Sequence, residues 1–161
     1  MYHPHIYTPN SQKSVIKILE DSTNNLITAN DRIWLDSTNF SHNNITISSG
    51  QLVISSGEHM IVGAPYATIE PITSTSETVF DFQWYDVTNS QFLGCQGRRV
   101  VRYSTLTATV PRAPIASCYV NTAITLELRC VSLSGAGVDA WDSYPIGYLG
   151  SSFAYIYSPL G

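Results

Sequence analysis

Charge is what this sequence has least of. Asp, Glu, Lys and Arg together make up 12% of its 161 residues, about half the usual share. A surface so poor in charge is either covered by Ser, Thr, Asn and Tyr or hidden in an assembly, because interface cores are depleted of charge. The 10 Tyr and 3 Trp favour the assembly. Lysine is nearly missing: six of the eight basic residues are Arg, and no Lys follows Lys17. No basic run can track a phosphate backbone, which excludes a nucleic-acid partner. The densest basic group, Arg98, Arg99 and Arg102, suits inter-chain hydrogen bonds or ion pairs better than an anion site.

Long apolar runs are also missing. None approaches the roughly 18 residues that a spanning helix needs, so no membrane helix is expected. The N-terminus, MYHPHIYTPNSQKSV, has no basic segment followed by an apolar core, so no signal peptide is expected. Cysteine is scarce. Cys95, Cys118 and Cys130 are odd in number and lack zinc spacing, and free buried thiols in a reducing cytosol are the expectation. There is no sustained helical periodicity, no internal repeat and no phosphate-cradling glycine loop.

What remains is strand pattern. Residues 1–13 read as an arm, broken by Pro4 and Pro9 and carrying Tyr2, His3, His5 and Tyr7. His3 and His5 share a face if extended; packing of the arm on a neighbouring subunit is favoured over a metal pair. Residues 14–161 read as one domain. Ile45, Ile47, Leu52 and Ile54 flank Ser48-Ser49-Gly50 as a hairpin. In Val79–Val87, Phe80, Phe82 and Trp84 fall on one face and Asp81, Gln83 and Tyr85 on the other. Ile124–Cys130 alternates likewise, with Leu126 and Leu128 inward and Glu127 and Arg129 outward or toward a neighbour. Arg129 is read either as a partner of a nearby carboxylate or as a group at a subunit boundary. In the last strand Phe153, Tyr155 and Tyr157 share one face and Ala154 and Ile156 the other, as in a strand buried on both sides. Eight to ten short strands with regular turn signals make a sandwich or barrel.

Catalytic patterns are weak. No Ser sits in a G-x-S-x-G setting. His42, in NFSHNN, reads as a solvent-exposed loop residue, and His59 as a structural residue opening a core strand. Asp81 and Glu127 form the only strand-borne carboxylate pair considered, and Asp139 and Asp142 flank Trp141 in a glycine-rich excursion, Ser134–Gly150, with Tyr144 and Tyr148. That loop is a candidate surface binding site, for a glycan in particular, since acids beside a ring can hold sugar. No cofactor, no metal and no enzymatic activity are expected.

Four segments carry a resemblance. Gly57-Glu58-His59-Met60-Ile61-Val62, the hairpin from Val79 to Gly94, Ile124–Arg129, and Gly150–Ile156 resemble, in order and spacing, the tumour necrosis factor-like and complement-type globular jelly roll, in the version found in bacteriophage virion proteins. Met60 stands where an aromatic is common, and Tyr157-Ser158 replace a usual basic end. The resemblance spans residue 45 to the end and leaves the first 44 uncovered. It implies an all-β jelly-roll sandwich forming a homotrimer, with Phe153, Tyr155, Tyr157, Tyr103 and Tyr119 at the axis or interface; Arg129 is added as a boundary residue. It further implies a virion protein, assembled in the host cytoplasm, that decorates or cements a shell by contact with the major capsid protein or another virion protein. The alternative is a receptor- or glycan-binding fibre tip.

Overall fold

The computed structural model describes residues 11–17, 29–35, 37, 40–64, 77–102, 116–134 and 153–159. Ten strands follow one another in the chain: β1 (Ser11–Lys17), β2 (Arg32–Ile33), β3 (Ile45–Ser48), β4 (Gln51–Ile54), β5 (His59–Ala64), β6 (Glu77–Asp86), β7 (Gln91–Arg102), β8 (Ala116–Val120), β9 (Ile124–Ser134) and β10 (Phe153–Pro159). No described residue is helical. All pairings are antiparallel, in the order β1-β10-β5-β8-β7-β6-β9-β4-β3, with β2 beside β9.

This path folds into two facing layers. One layer is β1-β10-β5-β8; the other is β7-β6-β9-β4-β3 with β2. The chain passes from one layer to the other between β1 and β2, β4 and β5, β5 and β6, β7 and β8, β8 and β9, and β9 and β10, the crossing pattern of a jelly roll. The core lies between the layers. Ile61, Ala116, Cys118, Val120, Ala154 and Ile156 from the first meet Ile33, Leu35, Ile45, Leu52, Ile54, Phe82, Trp84, Ile124, Leu126, Leu128 and Cys130 from the second. Trp84, wholly buried, ties the layers together by donating its indole N–H to the Ala116 carbonyl at 3.2 Å.

Local sequence explains the joins. Ser49 and Gly50 take φ of 50° and 72°, the left-handed pair that a two-residue hairpin turn demands. β7 pairs with β6 on both sides of a bulge between Leu93 and Gly97, and within it touches β8 through a single bridge, Cys95 to Ser117. The bulge needs Gly94 at φ 70°, where a Cβ would stand 1.9 Å from the Ser117 oxygen. β1 pairs with β10 from Ser11 onward, so the described strand includes Ser11–Lys13.

Candidate functional site

Strand alternation gives each layer an inner and an outer face. On the first layer, Ile61, Cys118 and Ile156 point into the core, so their chain neighbours point out. Register then aligns three of those neighbours: Tyr157 pairs with Met60, and Met60 with Tyr119. The three form a row across β10, β5 and β8, and their exposures, 37%, 46% and 54%, are high for such large side chains. The next row over, Tyr155, Val62 and Ser117, is half-buried. The Tyr155 and Tyr157 rings lie 6.3 Å apart, within range for aromatic contact. Desolvation and a hydrogen bond to Glu58 hold the Tyr119 hydroxyl above its ordinary range, so it stays a neutral donor at physiological pH.

The outer face of the second layer is different. Glu127 is 4% exposed although its strand phase points outward. It is covered by its own partners: the Arg129 guanidinium, Gln51 Nε2 at 2.8 Å and Arg32 at 3.8 Å. Arg129 also lies over the Tyr85 ring at 3.5 Å, and Arg32 over Trp34 at 4.5 Å. Farther along, Asp81 accepts two bonds from Arg98 at 2.7 and 3.0 Å and one from Ser132 at 2.8 Å. The Arg98 bond is the main reason its carboxyl is held below the usual range; burial opposes it. The two carboxylates named from the sequence are therefore separate ion-paired struts, each fixed by arginine.

A third polar group is internal. His59 and Ser158 are buried where β5 and β10 meet. Ser158 Oγ lies 2.7 Å from His59 Nδ1 and 2.9 Å from His42 Nε2. His42 is thus half-buried rather than solvent-exposed, because the loop before β3 folds back over the end of the first layer. His59 is buried and its other ring nitrogen, Nε2, lies 2.7 Å from the Ser56 carbonyl. No carboxylate completes a triad in the described hydrogen bonds of this cluster. Among the described residues no group of three or more His, Cys, Asp or Glu is placed to hold a metal ion. Cys118 and Cys130 are buried free thiols whose pKa values burial raises to about 12 and about 11, and Cys95 is exposed.

The structure brings Tyr119, Tyr155 and Tyr157 together on the first layer, and Phe153 occupies the same strand phase on β10. It places Arg129 apart from them, on the outer face of the second layer. Tyr103, the arm residues Tyr2, His3, His5 and Tyr7, and the loop residues Asp139, Trp141, Asp142, Tyr144 and Tyr148 lie outside the described residues. Sequence reading had not put Met60 in the site; the aromatic-favouring position it occupies was the signal available.

Comparison with solved structures decides the fold. The Eiger tumour necrosis factor from S. frugiperda superposes with a TM-score of 0.51 at 10% identity, over 94% of this chain and 94% of that one. Murine APRIL at pH 8.5 gives 0.51 at 6% identity, over 91% of this chain and 99% of that one. The fold is tumour necrosis factor-like. The likeness covers more of the chain than the sequence resemblance does, and it is a likeness of architecture at identities of 6–10%. Both neighbours are animal proteins; the phage setting comes from the sequence resemblance alone. The sequence matches no family profile, and no curated protein matches it.

Proposed function

We propose that the protein is a non-enzymatic homotrimer assembled through the outer face of its first layer, and that the trimer decorates or cements a viral shell. The carrying observation is the Tyr157–Met60–Tyr119 row, three large and exposed side chains in register on neighbouring strands. Water gains nothing from such a row, whereas a protein partner gains apolar area at about 25 cal/mol per Å² buried. Tyrosine and methionine are enriched at interface centres, and charge is depleted there. Among described residues, Glu58 is the charged group bonded at the edge of the row, and it is used by Tyr119. Phe153 and Tyr155 extend the face along β10, and Tyr103 joins it in this reading. A closed ring of identical subunits suits one apolar face per chain.

The shell role rests on the phage resemblance, the low charge and the N-terminal arm, whose Tyr2, His3, His5 and Tyr7 would dock on the major capsid protein or another virion protein. Native mass spectrometry of the full chain tests the first part: the account expects trimers. Co-sedimentation with purified shells stripped of their decoration tests the second. Trimers that stay in the supernatant of every shell offered would remove the decoration role and move the search to receptors and glycans.

A further inference from the structure

With both rings neutral, four hydrogen bonds in the histidine cluster allow a single proton order. The Asn44 backbone N–H donates to His42 Nδ1 at 3.1 Å, so that nitrogen is bare and His42 carries its proton on Nε2. Only backbone oxygen faces His59 Nε2, the Ser56 carbonyl at 2.7 Å, so His59 also carries its proton on Nε2 and leaves Nδ1 bare. Ser158 then accepts from His42 Nε2–H and donates its own hydroxyl hydrogen to His59 Nδ1. The relay runs in one direction, from Asn44 to the Ser56 carbonyl, with both imidazoles neutral.

The relay also spans the two layers. Residues 41–44 are bonded to the first layer through Ser14 Oγ on the Ser41 carbonyl and through His42 on Ser158 of β10. They are bonded to the second through the backbone N–H and hydroxyl of Ser55, just after β4, on the Asn44 carbonyl at 2.9 and 3.0 Å. β1 and β3 are the two ends of the strand path, so this segment straps the open side of the sandwich. We propose that His42, Ser158 and His59 form a proton-sensitive clasp: taking up a proton on His42 breaks the Asn44 N–H bond to Nδ1 and loosens the strap where the Asn44 carbonyl holds Ser55.

The geometry supplies the reason. A proton added to Nδ1 of His42 would face the Asn44 N–H, donor against donor at 3.1 Å. The new charge would also sit beside the His59 ring, whose centroid is 5.4 Å away. Burial of the ring is the first reason the His42 pKa lies below its ordinary 6.5, and repulsion whenever His59 is itself charged is the second. Among the other ionisable groups on the packed elements, Glu58 is bonded to Tyr119, and the side chains of Lys13 and Lys17 on β1 are outside the described set. A histidine with a depressed folded pKa contributes stability that is complete above the unfolded value and declines as pH falls from about 6.5 through the folded value.

The test is nuclear magnetic resonance of the full chain. Imidazole nitrogen shifts at pH 7.5 should show His42 and His59 both as the Nε2–H tautomer. Between pH 7.5 and 5.0, above the carboxylate range, exchange of the Ser55 amide should speed by roughly tenfold or more beyond its intrinsic change, in step with His42. His42→Gln keeps a donor toward Ser158 and cannot charge, so its exchange should follow the intrinsic change only. Ser158→Ala, which severs the relay while leaving a small side chain, should exchange fast at both pH values. An Nδ1–H tautomer on either ring, a wild-type strap indifferent to pH, or an undiminished acid response in either variant would overturn the clasp.

Discussion

The outer faces of the two layers are built from the same strand geometry and have opposite chemistry. On the second layer two outward acids are answered: Glu127 by Arg129, Arg32 and Gln51, and Asp81 by Arg98 and Ser132. The aromatic rings there have partners, Tyr85 in Arg129 and in Phe92, whose centroid is 5.0 Å away, and Trp34 in Arg32, although Phe92, Val53 and Trp34 remain exposed singly. On the first layer the outward row is Tyr157, Met60 and Tyr119, with Glu58 bonded to Tyr119 at its edge. A face that satisfies its own polar groups is finished by water. A face of exposed rings and thioether is finished by another protein. The charge of the described residues is therefore uneven, which supports the first layer as the face proposed to assemble.

The contrast can be broken from either side. Met60→Glu plants a carboxylate in the middle of the apolar row. Burying it unpaired should weaken assembly by about 3 kcal/mol or more, roughly a hundredfold, leaving folded monomers with unchanged strand signal in circular dichroism. Glu127→Ala acts on the other face and should do the reverse. It strips two arginines and Gln51 of their acceptor and should lower unfolding stability by about 1–3 kcal/mol in urea titrations, with the assembled mass unchanged. Tyr119→Ala sharpens the first result, since an edge ring of the row should cost about 1–2 kcal/mol of assembly, read by sedimentation on dilution.

Asp81→Asn is the smallest change expected. Asp81 is held ionised below its ordinary 3.8, so its pairing with Arg98 stabilises the fold above that pH and is lost as pH falls through the lowered value. The difference in thermal midpoint between wild type and Asp81→Asn should accordingly be present at pH 7 and vanish toward pH 2, with assembly at neutral pH the same in both.

Much of the fold was legible because a period of two is written locally. Phe82 and Trp84 against Asp81, Gln83 and Tyr85 read as one strand with a core face; in β6 Phe82 and Trp84 are buried and Gln83 and Tyr85 half-buried, while Asp81 is buried beneath Arg98 and Ser132. The hairpin at Ser49-Gly50 read from its turn residues. Phase, however, says which residues share a face and not which layer carries the strand. Arg129 was grouped with the tyrosines for that reason: its outward phase was right, but β9 belongs to the other layer. The Met60 row needed the register of three strands whose partners are about 55 to 100 positions apart. His42 was unreadable for a similar reason, since what removes it from solvent is Ser158, 116 positions away. Long-range partners of polar residues leave no local period.

The most direct test of the assembling face is the mass of the full-length protein by light scattering down a concentration series, beside Met60→Glu. The account predicts three times the 17.7 kDa chain for wild type, held on dilution, and a single chain for the variant. A wild-type monomer at every concentration, or a variant that keeps the trimer, would contradict it.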